Sequence, residues 1–335
     1  DGAPRGVRGG LHLGFDGGAP LTMDVVLFFP GQGSQKPGMA KDLVDSFAEA
    51  RDVFERADAA LGAPLSTLCF EGPAEELTLT HNAQPALLAH GAAVWAIVKD
   101  AIGSRVVAAA GHSLGELTAY HAAGSFDVED AVRVVRRRGE LMYESGLKQP
   151  GTMAAILGDI GRPVEEICAQ ASSEAGLVVP ANYNCPGQLV VSGEIAGVER
   201  AMTLFKEAGA KRAIRLNVSG AFHSPLMESA SDGLAEALDS ASFGDPDFPV
   251  YSNVTTEPVT TVANAKALLL RQLASPVRWS DEILAIARRH PDALYVEMGP
   301  GSVLVGLVKK IDASLKTATC GTAAEVALLT ELAVS

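Results

Sequence analysis

The stretch Gly111-His112-Ser113-Leu114-Gly115 limits what this chain can fold into more than any other. The apolar run Val106-Val107-Ala108-Ala109-Ala110 precedes it, and residues 116–123 continue with helix formers. A short apolar run followed at once by a helix reads as a buried strand that turns sharply, with Ser113 on the turn. Glycine on either side lets the backbone pass close to itself, and the turn carries the serine hydroxyl outward to where a base can reach it. A Gly-rich strand-to-helix turn with an incidental serine fits the same five letters. The rest of the chain has to separate the two.

With 335 residues the chain has room for one large domain or two around a substantial core. Apolar residues make up 47% and charged residues 20%, which is globular and not disordered. No apolar run approaches the ~20 residues of a membrane span, and the first residues lack the charged-apolar-small order of a secretory signal. Cys69, Cys168, Cys185 and Cys320 are scattered, with no C-x-x-C pair. That implies a reduced cytoplasmic protein with neither a disulfide framework nor a metal site. Forty acidic against 27 basic side chains give a net charge of −13. This argues against nonspecific nucleic-acid binding, and an anionic ligand would need a local basic patch.

Residues 1–22, rich in Gly, Ala, Pro and Asp, read as a mobile extension or an expression remnant, with the fold beginning near Met23. Residues 25–29 are fully apolar, as in an interior parallel strand. They end in the loop Pro30-Gly31-Gln32-Gly33-Ser34-Gln35, which brings Gln32 to where a donor can approach the serine turn. Helices are expected over 40–61 and over 84–101, the second with Pro85 in its first turn. Asp127 is the expected N-cap of a helix over 128–144. From 151 to 218 the pattern becomes β-α-β-β-α-β, with strands over 152–157, 177–183, 188–192 and 211–218 and helices over 163–175 and 195–208. That is the order of a ferredoxin-like subdomain, set within a larger domain because α/β material resumes afterwards. Further strands are expected over 250–252 and 294–298, then Gly299-Pro300-Gly301 and a helix over 303–310. The boundaries are thus 148–218 for the inserted subdomain and 23–147 with 219–335 for the core.

One helix carries a conflict. Val128, Ala131, Val132, Val135 and Met142 form its apolar stripe, while Arg133, Arg137, Glu140 and Glu144 share the polar face. Arg138 falls on the apolar stripe. A buried arginine is costly unless something anionic meets it. The partner is either a carboxylate of the protein or the carboxylate of a bound substrate, matched bidentately.

A serine hydroxyl needs an adjacent base, most often histidine. His12 lies in the extension. His81, His90 and His121 sit at or in helices, and His112, next to Ser113, should leave the turn in another direction; all four read as structural. His290 would follow the hydrolase order with Asp245 or Asp247 as its acid, yet it looks like a solvated helix end. His223, in Gly220-Ala221-Phe222-His223-Ser224-Pro225, stands where the chain re-enters the core from the inserted subdomain. Such junctions commonly line clefts, so His223 is preferred. No acid lies within its segment, and a backbone carbonyl or an amide would have to orient the ring.

The motifs Pro30–Gln35, Gly111–Glu116, Arg138-Gly139, 220–224 and Gln272-Leu273-Ala274-Ser275-Pro276-Val277, in that order, closely resemble those of malonyl-CoA:acyl carrier protein transacylases and polyketide synthase acyltransferase domains. The resemblance runs from about Val25 to Lys310. It implies an α/β-hydrolase-like core with a parallel sheet and an inserted ferredoxin-like subdomain, in agreement with the pattern. It implies that Ser113 carries the acyl ester and that His223 is base and then acid. It also implies that the backbone N–H groups of Gln32 and Leu114 form the oxyanion hole and that Arg138 pairs with the malonyl carboxylate. By the same resemblance the Gln272 carbonyl orients the histidine, and Met142 and Phe222 line the acyl pocket. The order Ala-Phe-His-Ser is similar to malonyl-selective members, whereas methylmalonyl-selective domains tend to carry Tyr-Ala-Ser-His.

The expected activity is therefore ping-pong transfer of malonyl from its coenzyme A thioester to the phosphopantetheine thiol of an acyl carrier protein. It would serve fatty-acid or polyketide synthesis, by a monomer with no bound cofactor and no membrane or nucleic-acid partner. Lys206, Lys211, Arg212, Arg271, Lys309 and Lys310 are candidates for meeting coenzyme A phosphates and an acidic carrier. The alternatives are a serine acyl hydrolase or thioesterase of the same fold, or a trans-acting polyketide acyltransferase with another extender unit. Arg138 and the missing acid partner speak against the hydrolase.

Overall fold

The structure, a computed structural model, describes residues 22–334. The expectation for the N-terminal extension, His12 included, lies outside the described residues save for Thr22. Among the described residues ten strands occur in chain order: β1 (Val25–Phe29), β2 (Val106–Gly111), β3 (Gly151–Leu157), β4 (Val178–Cys185), β5 (Gln188–Glu194), β6 (Arg212–Arg215), β7 (Val250–Tyr251), β8 (Pro258–Val259), β9 (Leu294–Met298) and β10 (Lys316–Cys320). They form two sheets. The larger has the order β10-β9-β1-β2-β7-β8 and is parallel except for β8, which runs antiparallel to β7. The smaller, β4-β5-β3-β6, is antiparallel throughout.

The large sheet is covered on both faces, and β1 shows why its sequence is apolar without a break. Val25, Leu27 and Phe29 enter one core, while Val26 and Phe28 enter the other. Alternate side chains of a strand point to opposite faces, so a strand buried on both has no polar positions to offer. The larger core is closed by the helices Ala48–Leu61, Thr80–Ile102 and Val128–Lys148. A third core lies between the small sheet and the helices Val164–Ala175 and Ile195–Glu207. The small sheet is joined by backbone to the segment that precedes the helix Trp279–Arg289. Tyr183 N–H of β4 donates to Val277 O at 2.9 Å, and Val277 N–H donates to Ala181 O at 2.8 Å. Segment 272–277 is thereby fastened to the small sheet, which fixes the cleft between them.

Several local expectations shift. The helix expected over 40–61 is two, Lys41–Ser46 and Ala48–Leu61, because Phe47 is extended (φ −126°, ψ 133°). The next long helix begins at Thr80, so Pro85 stands in its second turn and not its first. That helix is long and apolar enough to cross a membrane by length and composition, contrary to the reading of apolar runs, yet it packs largely inside the fold. Strand β6 covers only Arg212–Arg215 of the expected 211–218. Asp127 caps its helix as expected, accepting from Asp130 N–H at 2.8 Å.

Candidate active site

Ser113 sits between β2 and the helix Leu114–Ala122 with φ 53° and ψ −102°, a conformation L-residues rarely adopt. The surrounding glycines are dictated by contact. A Cβ on Gly111 would lie 1.9 Å from the Gly115 carbonyl carbon, and one on Gly115 would lie 1.9 Å from Phe29 O. Gly31 presses on the same turn, where its Cβ would meet His112 O at 2.4 Å. Close packing of the β1 loop against the β2 turn is what brings Gln32 beside the serine. Leu114 opens its helix, where N–H groups lack intrahelical partners. Gln32 and Leu114 both line the cleft around Ser113, a space of about 200 Å³ shared with Met142 and Phe222.

Ser113 Oγ hydrogen-bonds His223 Nε2 at 2.8 Å, and His223 Nδ1 meets the backbone carbonyl of Gln272 at 2.9 Å. A carbonyl only accepts, so Nδ1 carries the proton and Nε2 presents its lone pair to the serine hydroxyl. Burial, and then the charge of Arg138, pull the His223 pKa down to about 3. The ring is therefore neutral at physiological pH. His290 caps the helix Trp279–Arg289, and its carbonyl accepts from Tyr295 OH at 2.9 Å. Asp245 caps Val262 N–H, and Asp247 packs against Gly124. None of the three enters the cleft around Ser113.

Arg138 is 1% exposed, and among the described residues its hydrogen bonds go to neutral partners. Nη1 donates to Gln84 Oε1 at 2.7 Å; Nη2 donates to Ser113 Oγ and Gln272 Oε1, each at 3.0 Å. Nε has no partner among the described residues. Burial pulls its pKa down to about 10, with Glu116 acting the other way. It remains a cation at neutral pH. Of the two partners the sequence left open, no carboxylate among the described residues takes the place.

Several residues in this constellation were invisible in the sequence. Asn253, just past the two-residue β7, accepts from Ser113 N–H at 2.8 Å and donates to Gly111 O at 2.7 Å. One side chain thus satisfies the backbone on both sides of the strained turn. Its amide also donates to Glu282 Oε2 at 2.8 Å, and its own N–H donates to Glu116 Oε2 at 3.0 Å. Both glutamates are fully buried; burial raises the Glu116 pKa to about 7 and that of Glu282 well above its ordinary value. Gln272 contributes more than its carbonyl: its Nε2 donates to Glu116 Oε2 at 2.7 Å. His112, read as structural, is in the cleft wall, with Nε2 2.9 Å from Asn184 Oδ1 and its ring against Trp279. Asn184 belongs to β4, not to the turn read over 184–187. A polar residue just beyond a short apolar strand, as at Asn253, is the only signal that could have flagged these positions.

Residues 26–327 match the acyl transferase domain family. The malonyl CoA-acyl carrier protein transacylase of Bacillus subtilis is 48% identical over 293 residues, covering 88% of this chain and 92% of the relative. The acyl-carrier-protein-S-malonyltransferase of Bartonella henselae superposes with a TM-score of 0.88 at 40% identity, over 93% of this chain and 100% of the other. A malonyl-transacylase solved in complex with its type II PKS acyl-carrier protein superposes with a TM-score of 0.87 at 39% identity, over 92% of this chain and 99% of the other. The chain belongs to the acyl transferase domain family, alongside the malonyl CoA-acyl carrier protein transacylases.

Proposed function

We propose that the chain transfers a malonyl group from malonyl-CoA, through an ester on Ser113, to the phosphopantetheine thiol of an acyl carrier protein. The observation that carries this reading is Arg138: a buried cation 3.0 Å from the nucleophile, met only by neutral groups among the described residues. An arginine so placed favours an acyl group that brings its own carboxylate. In the first half-reaction His223 Nε2 takes the Ser113 proton as Oγ attacks the thioester carbonyl. The N–H groups of Gln32 and Leu114 receive the oxyanion, a contribution of roughly 3–4 kcal/mol per donor in comparable sites. Collapse breaks the C–S bond, and the proton on His223 goes to the departing coenzyme A thiolate. In the second half-reaction His223 deprotonates the carrier thiol, which attacks the ester, and Ser113 regains its proton. The Gln272 carbonyl holds the His223 ring throughout, while Met142 and Phe222 shape the acyl pocket. Arg138 also helps by hydrogen-bonding Oγ, which favours its anionic character as the proton leaves.

The same reading divides the chain into an α/β-hydrolase-like core, 23–147 and 219–335, and a ferredoxin-like insertion, 148–218. The strand order β4-β5-β3-β6, with helices in both crossovers, supports the second description. Lys206, Lys211, Arg212, Arg271, Lys309 and Lys310 are exposed and suited to an anionic carrier or coenzyme A. We further infer a monomeric, cytoplasmic enzyme with no bound cofactor, working in fatty-acid or polyketide synthesis. Intact-mass measurement tests the central step: malonyl-CoA should add one malonyl group to the wild type and none to Ser113→Ala. A phosphopantetheinylated carrier added next should take up that group. Release as free malonate instead would establish the hydrolase.

A further inference from the structure

We propose that Gln84 is a positioning residue that sets acyl selectivity: its uncharged carboxamide holds the Arg138 guanidinium beside the nucleophile and leaves its charge uncompensated. The inference rests on the reading of Arg138 as the seat of the substrate carboxylate and adds a second residue to it.

A buried arginine ordinarily takes a carboxylate of its own protein, since desolvation is costly without one. Here two glutamines occupy that place. Gln84 Oε1 accepts from Nη1 at 2.7 Å and Gln272 Oε1 from Nη2 at 3.0 Å. The carboxylate that acts on Arg138 electrostatically is Glu116. It is kept from direct contact by Gln272, which bonds Glu116 with its amide nitrogen and Arg138 with its amide oxygen. The guanidinium is thereby oriented by dipoles and not neutralised by an ion pair.

The direction of the Gln84 amide is itself determined. Thr80 Oγ1 spends its one proton on Gln32 Oε1 at 2.9 Å, so it can only accept from Gln84 Nε2, at 3.0 Å. That turns Gln84 Oε1 toward Arg138. Gln84 is 1% exposed, where an amide is costly unless its polar atoms are met. Gln272 is less suited to a test, because its carbonyl also holds His223.

The test compares acylation of Ser113 by malonyl-CoA and acetyl-CoA in four proteins: wild type, Gln84→Glu, Gln84→Met and Arg138→Ala. Gln84→Glu has the same shape but supplies an internal carboxylate that competes with the substrate's. Its malonyl-to-acetyl ratio of kcat/KM should fall about 100-fold, chiefly through a raised KM for malonyl-CoA, as expected when a buried charge pair is lost to the ligand. Gln84→Met removes the hydrogen bond without adding charge and should keep the ratio within about tenfold. Melting curves and acetyl transfer report whether each variant is folded. Two outcomes overturn the inference: an unchanged ratio in Gln84→Glu, including one in which both substrates lose equally, or an equal fall of the ratio in Gln84→Met. Arg138→Ala separates the two levels. If it retains the malonyl preference, the assignment of Arg138 fails and this inference with it; if it loses the preference and Gln84→Glu does not, only this inference fails.

Discussion

At the residue scale, the site works by keeping each group in the protonation state its task requires. His223 is neutral because it is enclosed and faces the Arg138 cation, which together draw its pKa from 6.5 to about 3. The free enzyme should therefore hold a competent base far below the range of an ordinary histidine. A substrate carboxylate on Arg138 offsets one of the causes that lower it, so the His223 pKa should rise in the complex. The expected pH profile follows. The acid limb of kcat/KM for malonyl-CoA, which reports the free enzyme, should lie near pH 3, and the limb of kcat should lie at higher pH. A kcat/KM limb near the ordinary 6.5 would contradict the part given to burial. The sequence made Ser113, His223 and Arg138 legible because each breaks a pattern: a serine on a turn, a histidine at a junction, an arginine on an apolar stripe. It left Asn253 and Gln84 unread, because an amide acquires meaning only from what stands opposite it.

At the element scale, the nucleophile turn depends on how closely β1, β2 and the helix Leu114–Ala122 approach one another. Gly115 marks that approach, for its Cβ would overlap the Phe29 carbonyl backbone and not a movable side chain. Gly115→Ala should destabilise the fold by about 3 kcal/mol, at the upper end for overpacking, and should also abolish acyl-serine formation by displacing Ser113. Gly306 offers the contrast: it lies in the helix Val303–Ile311, and a Cβ added there would have nothing within 4 Å. Gly306→Ala should be neutral or stabilising by about 0.5–1 kcal/mol. Urea denaturation of the two variants checks both, and equal effects would show that close approach is not the constraint. Long elements were readable from periodicity, as with Val128–Lys148, whose cap and apolar stripe agree. Short ones were not. β7 has two residues and β6 four, too few to show a period, and they are held by their neighbours in the sheet.

At the scale of the whole molecule, the ground under the active site is a buried polar hub of Glu116, Asn253, Gln272 and Glu282, and it couples stability to pH. Glu116 titrates near 7 in the folded state against an ordinary 4.5. The folded protein thus binds more protons between those values; the advantage is complete below 4.5 and is lost as pH rises through 7. Gln at this position keeps an acceptor without that loss. The stability of Glu116→Gln relative to wild type should accordingly improve by about 1–3 kcal/mol between about pH 5 and pH 8. Denaturant melts of both proteins at the two pH values measure it, and a difference independent of pH would remove Glu116 from the account. The sequence by itself determined the α/β alternation, the four strands between 151 and 218 and the singling out of Ser113, His223 and Arg138, which the fold brings together, because periodicity, turn chemistry and misplaced polar residues are local properties of a chain. Only the tertiary structure decided which carbonyl faces His223, that neutral amides face Arg138, and that one asparagine braces the Ser113 turn. Those contacts join residues 49 to 142 positions apart, and such distances are closed by sheet order and by the packing of the cores, which no local pattern encodes. The serine turn was legible from its five letters; the amides that face Arg138 beside it were not.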